Sequence, residues 1–236
     1  MTFSMRRVYA ILQKDYKDIS RNMFVFVTLF LPLLMAAFYG RMGETTVYAD
    51  YMIINMTFVL VGAYVQSSLI AEEKEKNTLR GLTLSPASTL EIFLGKSLLS
   101  FIATAVVVVA SMLLLDYSPQ NVPAVAIALI VSTAFYLAIG TLIGLYTKSV
   151  MEASVAILPV VGVFTFGSAL LPFIEQFPVL SVLEYMPNMQ LLDLAVQVEA
   201  GAGFADVAVN LLIILAWAVV MNALSVYVYK RRMVDE

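Results

Sequence analysis

The side chains from which enzymes build catalytic sites are largely missing from this 236-residue sequence. It contains neither His nor Cys, which removes the commonest general base and metal ligand and every thiolate nucleophile. Gly95-Lys96-Ser97 resembles the end of a phosphate-binding loop, but that pattern requires Gly five positions before Gly95, where Leu90 stands. We therefore expect no enzyme, no bound cofactor and no metal site. The net charge of -3 also argues against nucleic-acid binding.

Charged residues are concentrated in one segment between two apolar runs. It contains Glu72, Glu73, Lys74, Glu75, Lys76, Asn77, Thr78, Leu79, Arg80, Leu82, Ser85, Pro86, Ser88, Glu91, Gly95 and Lys96. Asn77 tolerates the left-handed conformation of a helix C-cap, so a helix is predicted to stop there. Ser85 as N-cap and Pro86 at the first helical position predict that the next helix starts at Ser85.

The middle of this segment is a candidate docking surface. Leu79 and Leu82 are three residues apart and would lie on one face of a short helix, where so small a loop has nothing to bury them. The alternative for the charged turn is a solvated helix end in which Glu72 and Lys76 pair at i, i+4.

Neutral polar side chains lie inside the apolar runs. The candidates for a substrate path are Asn55, Thr57, Tyr64, Gln66, Ser67, Ser68, Asn210 and Asn222. Each could instead bridge two helices. Pro32 and Pro159 each remove a helical N–H and predict kinks, whereas Gly140 and Gly144 predict close packing of their helix against another.

The composition indicates an all-α polytopic membrane protein, because 61% of the residues are apolar and only 13% are charged. Six apolar stretches are long enough to cross a hydrocarbon core of about 30 Å. The predicted spans are 22–40, 51–71, 90–115, 121–147, 153–174 and 207–229, with a cytoplasmic loop at 72–89.

Lys and Arg predict the orientation, since they favour the cytoplasmic side. All of them except Arg41 lie before the first span, between the second span and the charge-free part of the third, which starts at 97, after the fourth span, or after the last. Both termini are therefore predicted to be cytoplasmic.

Two segments lie outside the spans. Residues 3–20 place Met5, Val8, Leu12, Tyr16 and Ile19 at helical spacing, which predicts an amphipathic helix on the membrane surface that attracts anionic lipid; the alternative is a helix docked on its own protein. Residues 175–206 are apolar but interrupted, and predict one or two short helices that re-enter from the outer side. They could form a lid over an exit path or a structural cap.

The spacing in the charged segment resembles that of the type-2 ATP-binding-cassette permeases. The matching residues are Glu73, Glu75, Thr78, Leu79, Leu82, Pro86, Ser88, Glu91, Gly95 and Lys96. Asn77 departs from the Gly that is common in the family, although both residues accept positive φ. The entrance helix, six spans and re-entrant outer segment are similar to the family's arrangement over the whole 1–236 chain.

The resemblance implies a permease half in a prokaryotic inner (plasma) membrane that pairs with a second, identical or related permease chain. Separate ABC-type ATPase subunits, which bind ATP and Mg, would clasp the loop as a coupling helix. The docking residues would be Glu72, Glu73, Glu75, Thr78, Leu79, Leu82 and Pro86. The path would follow the first, second and fifth helices at the dimer interface, with Asn55, Tyr64, Gln66 and Pro159 as candidates.

The function expected from this resemblance is outward transport of an amphiphilic or apolar cargo, such as a peptide, drug or lipid-linked molecule. An alternative is a non-transporting assembly or immunity component that sequesters a toxic peptide. A passive channel fits least, because neither a ring of charge nor a repeated filter sequence is present.

Overall fold

Every regular element that the structure describes is helical. The computed structural model describes residues 3–20, 22–43, 46–76, 78, 88–173 and 176–235. Within these ranges the α-helices are α1 Met5–Ile19, α2 Met23–Arg41, α3 Val47–Thr57, α4 Tyr64–Glu75, α5 Thr89–Leu114, α6 Val122–Tyr146, α7 Val150–Ala156, α8 Leu158–Phe166, α9 Pro187–Glu199 and α10 Ala208–Asp235. A π-helical segment, Phe58–Ala63, joins α3 to α4, and 3-10 turns cover Gly167–Phe173 and Pro178–Tyr185.

The α3–α4 rod forms the centre of the bundle. It runs for 29 residues from Val47 to Glu75 and is almost completely surrounded by the other helices. Its large side chains, including Tyr51, Phe58 and Tyr64, belong to the main hydrophobic core. The rod carries the buried polar side chains Asn55, Gln66 and Ser67. Such side chains face protein rather than lipid in a membrane, which favours the central position of the rod.

Two glycines bring α6 into backbone contact with this rod. A Cβ atom at Gly140 would lie 2.2 Å from the Ala63 carbonyl oxygen, and one at Gly144 would lie 2.7 Å from the Ser67 oxygen. The predicted small-residue contact is confirmed, and its partner is the second apolar run.

The fifth apolar run is broken where Pro159 predicts it. Helix α7 ends at Ala156 and α8 begins at Leu158, so that Pro159 occupies the first turn of a new helix, where its missing N–H costs no hydrogen bond. Pro32, in contrast, lies inside α2, which continues on both sides of it.

Five helical stretches in the described residues are long and apolar enough to cross a membrane: Val47–Glu75, Glu91–Leu114, Val122–Tyr146, Val150–Leu171 and Ala208–Arg231. Helix α2, which corresponds to the predicted span 22–40, has a shorter apolar stretch, Val25–Arg41. The all-α membrane class therefore fits, whereas six membrane crossings stay a prediction.

The predicted outer segment 175–206 contains two short helical pieces, the 3-10 turn Pro178–Tyr185 and α9. Helix α9 is closely packed against the bundle, with Leu191, Leu194 and Val198 fully buried. One or two short helices were expected here. Re-entry into a membrane stays a prediction.

Candidate functional site

The candidate site begins where α4 ends. The amide of Lys76 donates to the Glu72 carbonyl at 2.9 Å, and that of Thr78 donates to the Glu73 carbonyl at 2.8 Å. The second bond spans five residues, as in a Schellman motif. Lys76 also pairs with the Glu72 carboxylate at 2.5 Å. The chain thus leaves the bundle at a defined position, with Glu75, Lys76 and Thr78 exposed.

Behind this helix end lies a buried ion cluster, formed by Asp15, Glu73 and Lys96 with Lys14 at its edge. The Lys96 ammonium is 2.8 Å from Glu73 Oε1 and 3.6 Å from Asp15 Oδ1. These three residues are 1–3% exposed. Lys14 donates to the same Glu73 oxygen. The cluster therefore connects α1, α4 and α5 through charges that balance: two carboxylates and two ammonium groups.

Burial in this cluster is unfavourable for the charged form of Asp15. Burial raises the pKa of Asp15 from its ordinary 3.8 to about 6, against the opposing effect of the Lys96 charge. Neither carboxylate oxygen of Asp15 makes a hydrogen bond of good geometry. Desolvation thus outweighs the attraction of its nearest cation, as expected for an ion pair removed from water.

Glu91 fixes the start of α5 and the start of α1 together. Its carboxylate accepts from the Ser88 amide at 2.6 Å while the Ser88 hydroxyl accepts from the Glu91 amide, which completes a capping box. The same carboxylate accepts from the Ser4 amide at 2.5 Å and pairs with Arg7 at 3.0 Å. Helix α5 therefore begins at Thr89, not at Ser85, because Ser88 with Glu91 provides the complete cap.

Gly95 lets α1 lie close enough to reach the cluster. A Cβ atom at this position would stand 2.8 Å from Ile11 Cβ. Because the next residue, Lys96, supplies the central cation, Gly95 and Lys96 act as a pair: one permits the close approach and the other provides the charge.

The α4 end is also attached to the turn between α6 and α7. The Lys74 ammonium donates to the carbonyls of Leu145 and Thr147 at 2.6 Å each, at the C-terminal end of α6, where a cation is favoured. Glu75 accepts from the Val150 amide at 3.1 Å, at the start of α7. Movement of the α4 end therefore acts on α6 and α7 directly.

The predicted docking residues differ in their exposure to solvent. Glu75 and Thr78 are exposed and Glu72 is half-buried, whereas the Glu73 carboxylate points inward and is used by the ion cluster. Glu73 cannot offer its charge to a partner in this conformation, because two lysines of the same chain already hold it. Leu79, Leu82 and Pro86 lie outside the described residues.

The candidate path residues inside the bundle bridge helices. Asn55 accepts from the Tyr136 hydroxyl at 3.1 Å, and Tyr64 contacts the Ser154 hydroxyl at 3.0 Å. Gln66 donates to Thr141 at 3.1 Å. All three are buried in the single chain. Pro159 is exposed on the bundle surface, apart from the three buried residues, and the path at a dimer interface stays a prediction.

Sequence reasoning missed the roles of Asp15, Lys74 and Lys96. A signal for Asp15 was present, because it lies seven residues after Val8 and four before Ile19, on the face assigned to apolar contact. Val8 and Asp15 are buried against the bundle, whereas Met5 and Tyr16, two members of the predicted apolar face, are exposed together with Tyr9. One side of the helix is thus docked on its own protein, and its position on the membrane surface stays a prediction.

The comparisons with known proteins identify the family of the chain. No curated protein matches the chain significantly. The model of the family described as ABC-2 family transporter protein matches residues 41–227, which include the end of α4, the start of α5 and the whole central rod. The chain therefore belongs to the ABC-2 family of transporter proteins and is a membrane permease subunit of that class.

Proposed function

We propose that this permease subunit exports an amphiphilic or apolar cargo and is driven by separate ABC-type ATPase subunits, which bind ATP and Mg and dock on the 72–89 loop. The family match supports the transport class. The ion cluster beneath the loop is the observation that carries the mechanism. A force applied to the loop reaches α4, and Glu73 passes it at once to α1 and α5 through Lys14 and Lys96.

The docking surface consists of the groups that remain outward. Glu72, Glu75, Lys76 and Thr78 lie at the surface of the described segment. Leu79, Leu82 and Pro86 follow directly and complete the proposed surface. Glu73 is a positioning residue in this scheme: it holds the helix end in place, so that a partner meets a rigid support.

The membrane arrangement that we propose has six crossings, with α2 as the first, and both termini in the cytoplasm of a prokaryotic cell. Thirteen of the fourteen basic residues support this orientation. The segment 175–206 would re-enter from the outer side. Helix α9 packs against the core, which favours a cap, because a lid would need a face that separates easily from the bundle. The other piece, Pro178–Tyr185, has no buried residue.

The proposed dimer interface uses the exposed faces of α2, α7 and α8, which are the first and fifth predicted spans. The second span, which was also expected to line the path, is the buried α3–α4 rod. Met151, Val155, Leu158 and Phe166 form an exposed apolar stripe along the broken fifth run. A second permease chain would cover this stripe. Because the stripe carries no charge, it suits an apolar or amphiphilic cargo better than an ionic one.

Copurification tests the docking. ATPase activity should copurify with the tagged wild-type permease on a washed affinity column. The activity that copurifies with the Leu79→Asp/Leu82→Asp variant should be at least tenfold lower. Glu72→Gln/Glu75→Gln should weaken it, whereas Glu184→Gln/Asp206→Asn, which removes the same charge at the opposite end, should not. If the ATPase activity is retained by the Leu79→Asp/Leu82→Asp variant, the docking proposal is overturned. If no ATPase copurifies with the wild type, the result favours the alternative of a non-transporting assembly or immunity component.

Labelling tests the orientation, and the absence of Cys from the sequence makes it direct. A membrane-impermeant maleimide should react with Lys76→Cys only after permeabilisation, and with Asp206→Cys in intact cells. The reverse pattern would place the loop on the wrong side and end the proposal.

A further inference from the structure

A groove on the surface of the bundle lies between α5, α6 and α10, away from α2, α7 and α8. Its volume is about 340 Å³, at the lower end of the range of ligand sites. Phe93, Leu98 and Phe101 form one wall, Ala134 and Leu137 form the floor, and Val226 lies on the other wall. The groove is deep at Ala134 because the side chain of this residue is small.

The polar groups in this groove are already occupied. Asn222 donates to the carbonyls of Ala134 at 3.1 Å and Ala218 at 2.8 Å, and Ser225 donates to the Ala138 carbonyl at 3.0 Å. These bonds connect α10 to α6 across the floor. The groove therefore offers an occupant apolar contact and few hydrogen-bond donors, which suits a hydrocarbon chain.

A cation continues the α10 side of the groove. Asn222, Val226 and Lys230 are spaced by four residues, so Lys230 follows on the same helix face about 6 Å beyond the groove. Lys230 and Arg231 are exposed. In the described part of the chain, no acidic side chain forms a salt bridge with either of them.

The level of these cations fits a membrane interface. Tyr227 and Tyr146 are exposed at this end of α10 and α6, as aromatic residues often are where a span meets the headgroups. Phe93 of the groove wall packs edge-on against Tyr229, the neighbour of Lys230, with ring centroids 4.8 Å apart. An occupant would thus have its apolar part in the groove and its polar part beside Lys230.

We infer that this groove binds an anionic phospholipid, with one acyl chain between α5, α6 and α10 and the phosphate headgroup at Lys230 and Arg231. The apolar walls select the chain and the two exposed cations select the negative headgroup. Each cation near an anionic membrane surface favours binding by roughly fivefold, so the two together should prefer an anionic over a zwitterionic lipid by about an order of magnitude or more.

Native mass spectrometry of the detergent-purified chain tests the inference with phosphatidylglycerol and phosphatidylcholine that carry identical acyl chains. The wild type should retain phosphatidylglycerol preferentially. Lys230→Gln should reduce that affinity roughly fivefold, whereas Arg41→Gln, an equal charge change at the end of α2, should leave it unchanged. Ala134→Leu should fill the groove and weaken both lipids, with its unfolding midpoint measured as a check of folding.

The outcomes separate the possible occupants. Equal retention of both lipids, with no effect of Lys230→Gln, would overturn the anionic site. Dimers that disappear in Ala134→Leu would show that a second copy of the chain fills the groove, and would overturn it as well. If Ala134→Leu does not fold, the comparison of Lys230→Gln with Arg41→Gln still decides the headgroup preference.

Discussion

Replacing Lys96 by Met tests whether the ion cluster supports the fold. Met keeps the length and most of the volume of the side chain, but removes the cation that lies 2.8 Å from Glu73 and 3.6 Å from Asp15. Both carboxylates then remain buried with only Lys14 nearby. Removing one member of a buried charge pair costs about 3–5 kcal/mol, because the remaining charge is uncompensated.

Lys76→Met is the matched control. Lys76 also pairs with a glutamate at short distance, but half of its side chain is exposed and the pair is of the i, i+4 type. Such a pair contributes about 0.3–0.5 kcal/mol. The two substitutions are chemically identical and lie at the same end of the bundle, so burial is the main difference between them.

The measurement is the free energy of unfolding of the purified variants in one detergent, followed by helical circular dichroism. Lys96→Met should lose about 3–5 kcal/mol and Lys76→Met less than about 1. Adding Glu73→Gln to Lys96→Met should recover part of the loss. Equal losses in the two single variants would refute the reasoning, since they would mean that water screens Lys96 as it does Lys76.

Three further predictions concern pH and packing. Because the pKa of Asp15 is raised from 3.8 to about 6, the folded chain binds this proton more tightly than the unfolded chain. The contribution of Asp15 to stability should therefore rise as the pH falls from about 6 to 4. If the free energy of unfolding depends on pH in the same way in the wild type and in Asp15→Asn, the prediction is contradicted. Gly140→Ala should lower the free energy of chemical unfolding by about 1–3 kcal/mol, because the new Cβ would meet the Ala63 backbone. Gly162→Ala, where a Cβ meets open space, should be neutral or stabilising. Equal effects of the two substitutions would disprove the backbone contact. Tyr136→Phe should lower the free energy of unfolding by about 1–3 kcal/mol, because it leaves the Asn55 oxygen without its hydrogen-bond donor. Tyr227→Phe, at an exposed position, should lower it by less than about 0.5 kcal/mol. Similar losses in the two variants would mean that water reaches Asn55.

The order and approximate bounds of the helices could be predicted from the sequence, because apolar length decides them. The run 121–147 became α6 at Val122–Tyr146, and Pro159 and Gly140 acted as their chemistry suggests. The start of α5 was predicted three residues early, since Ser85-Pro86 and Ser88 with Glu91 are both good helix starts and a sequence alone does not rank them.

The internal use of the charged segment could not be predicted, because it depends on contacts between distant parts of the chain. Glu73 and Lys96 look like solvated loop charges until α1 supplies Asp15 and Lys14 from more than fifty residues earlier. The π-helical turn Phe58–Ala63 has no sequence signal either: it carries one residue more per turn than the α-helix, where α6 presses Gly140 against it.

That contact limits which parts of the molecule can shift during a working cycle. Where two main chains touch with no side chains between them, neither rod can rotate or slide without first separating from the other, and separation would open a void in the densest region of the interior. The α3–α4 rod and α6 therefore travel as a single body. Any rocking during turnover must occur around this pair, at the looser faces of α2, α7 and α8.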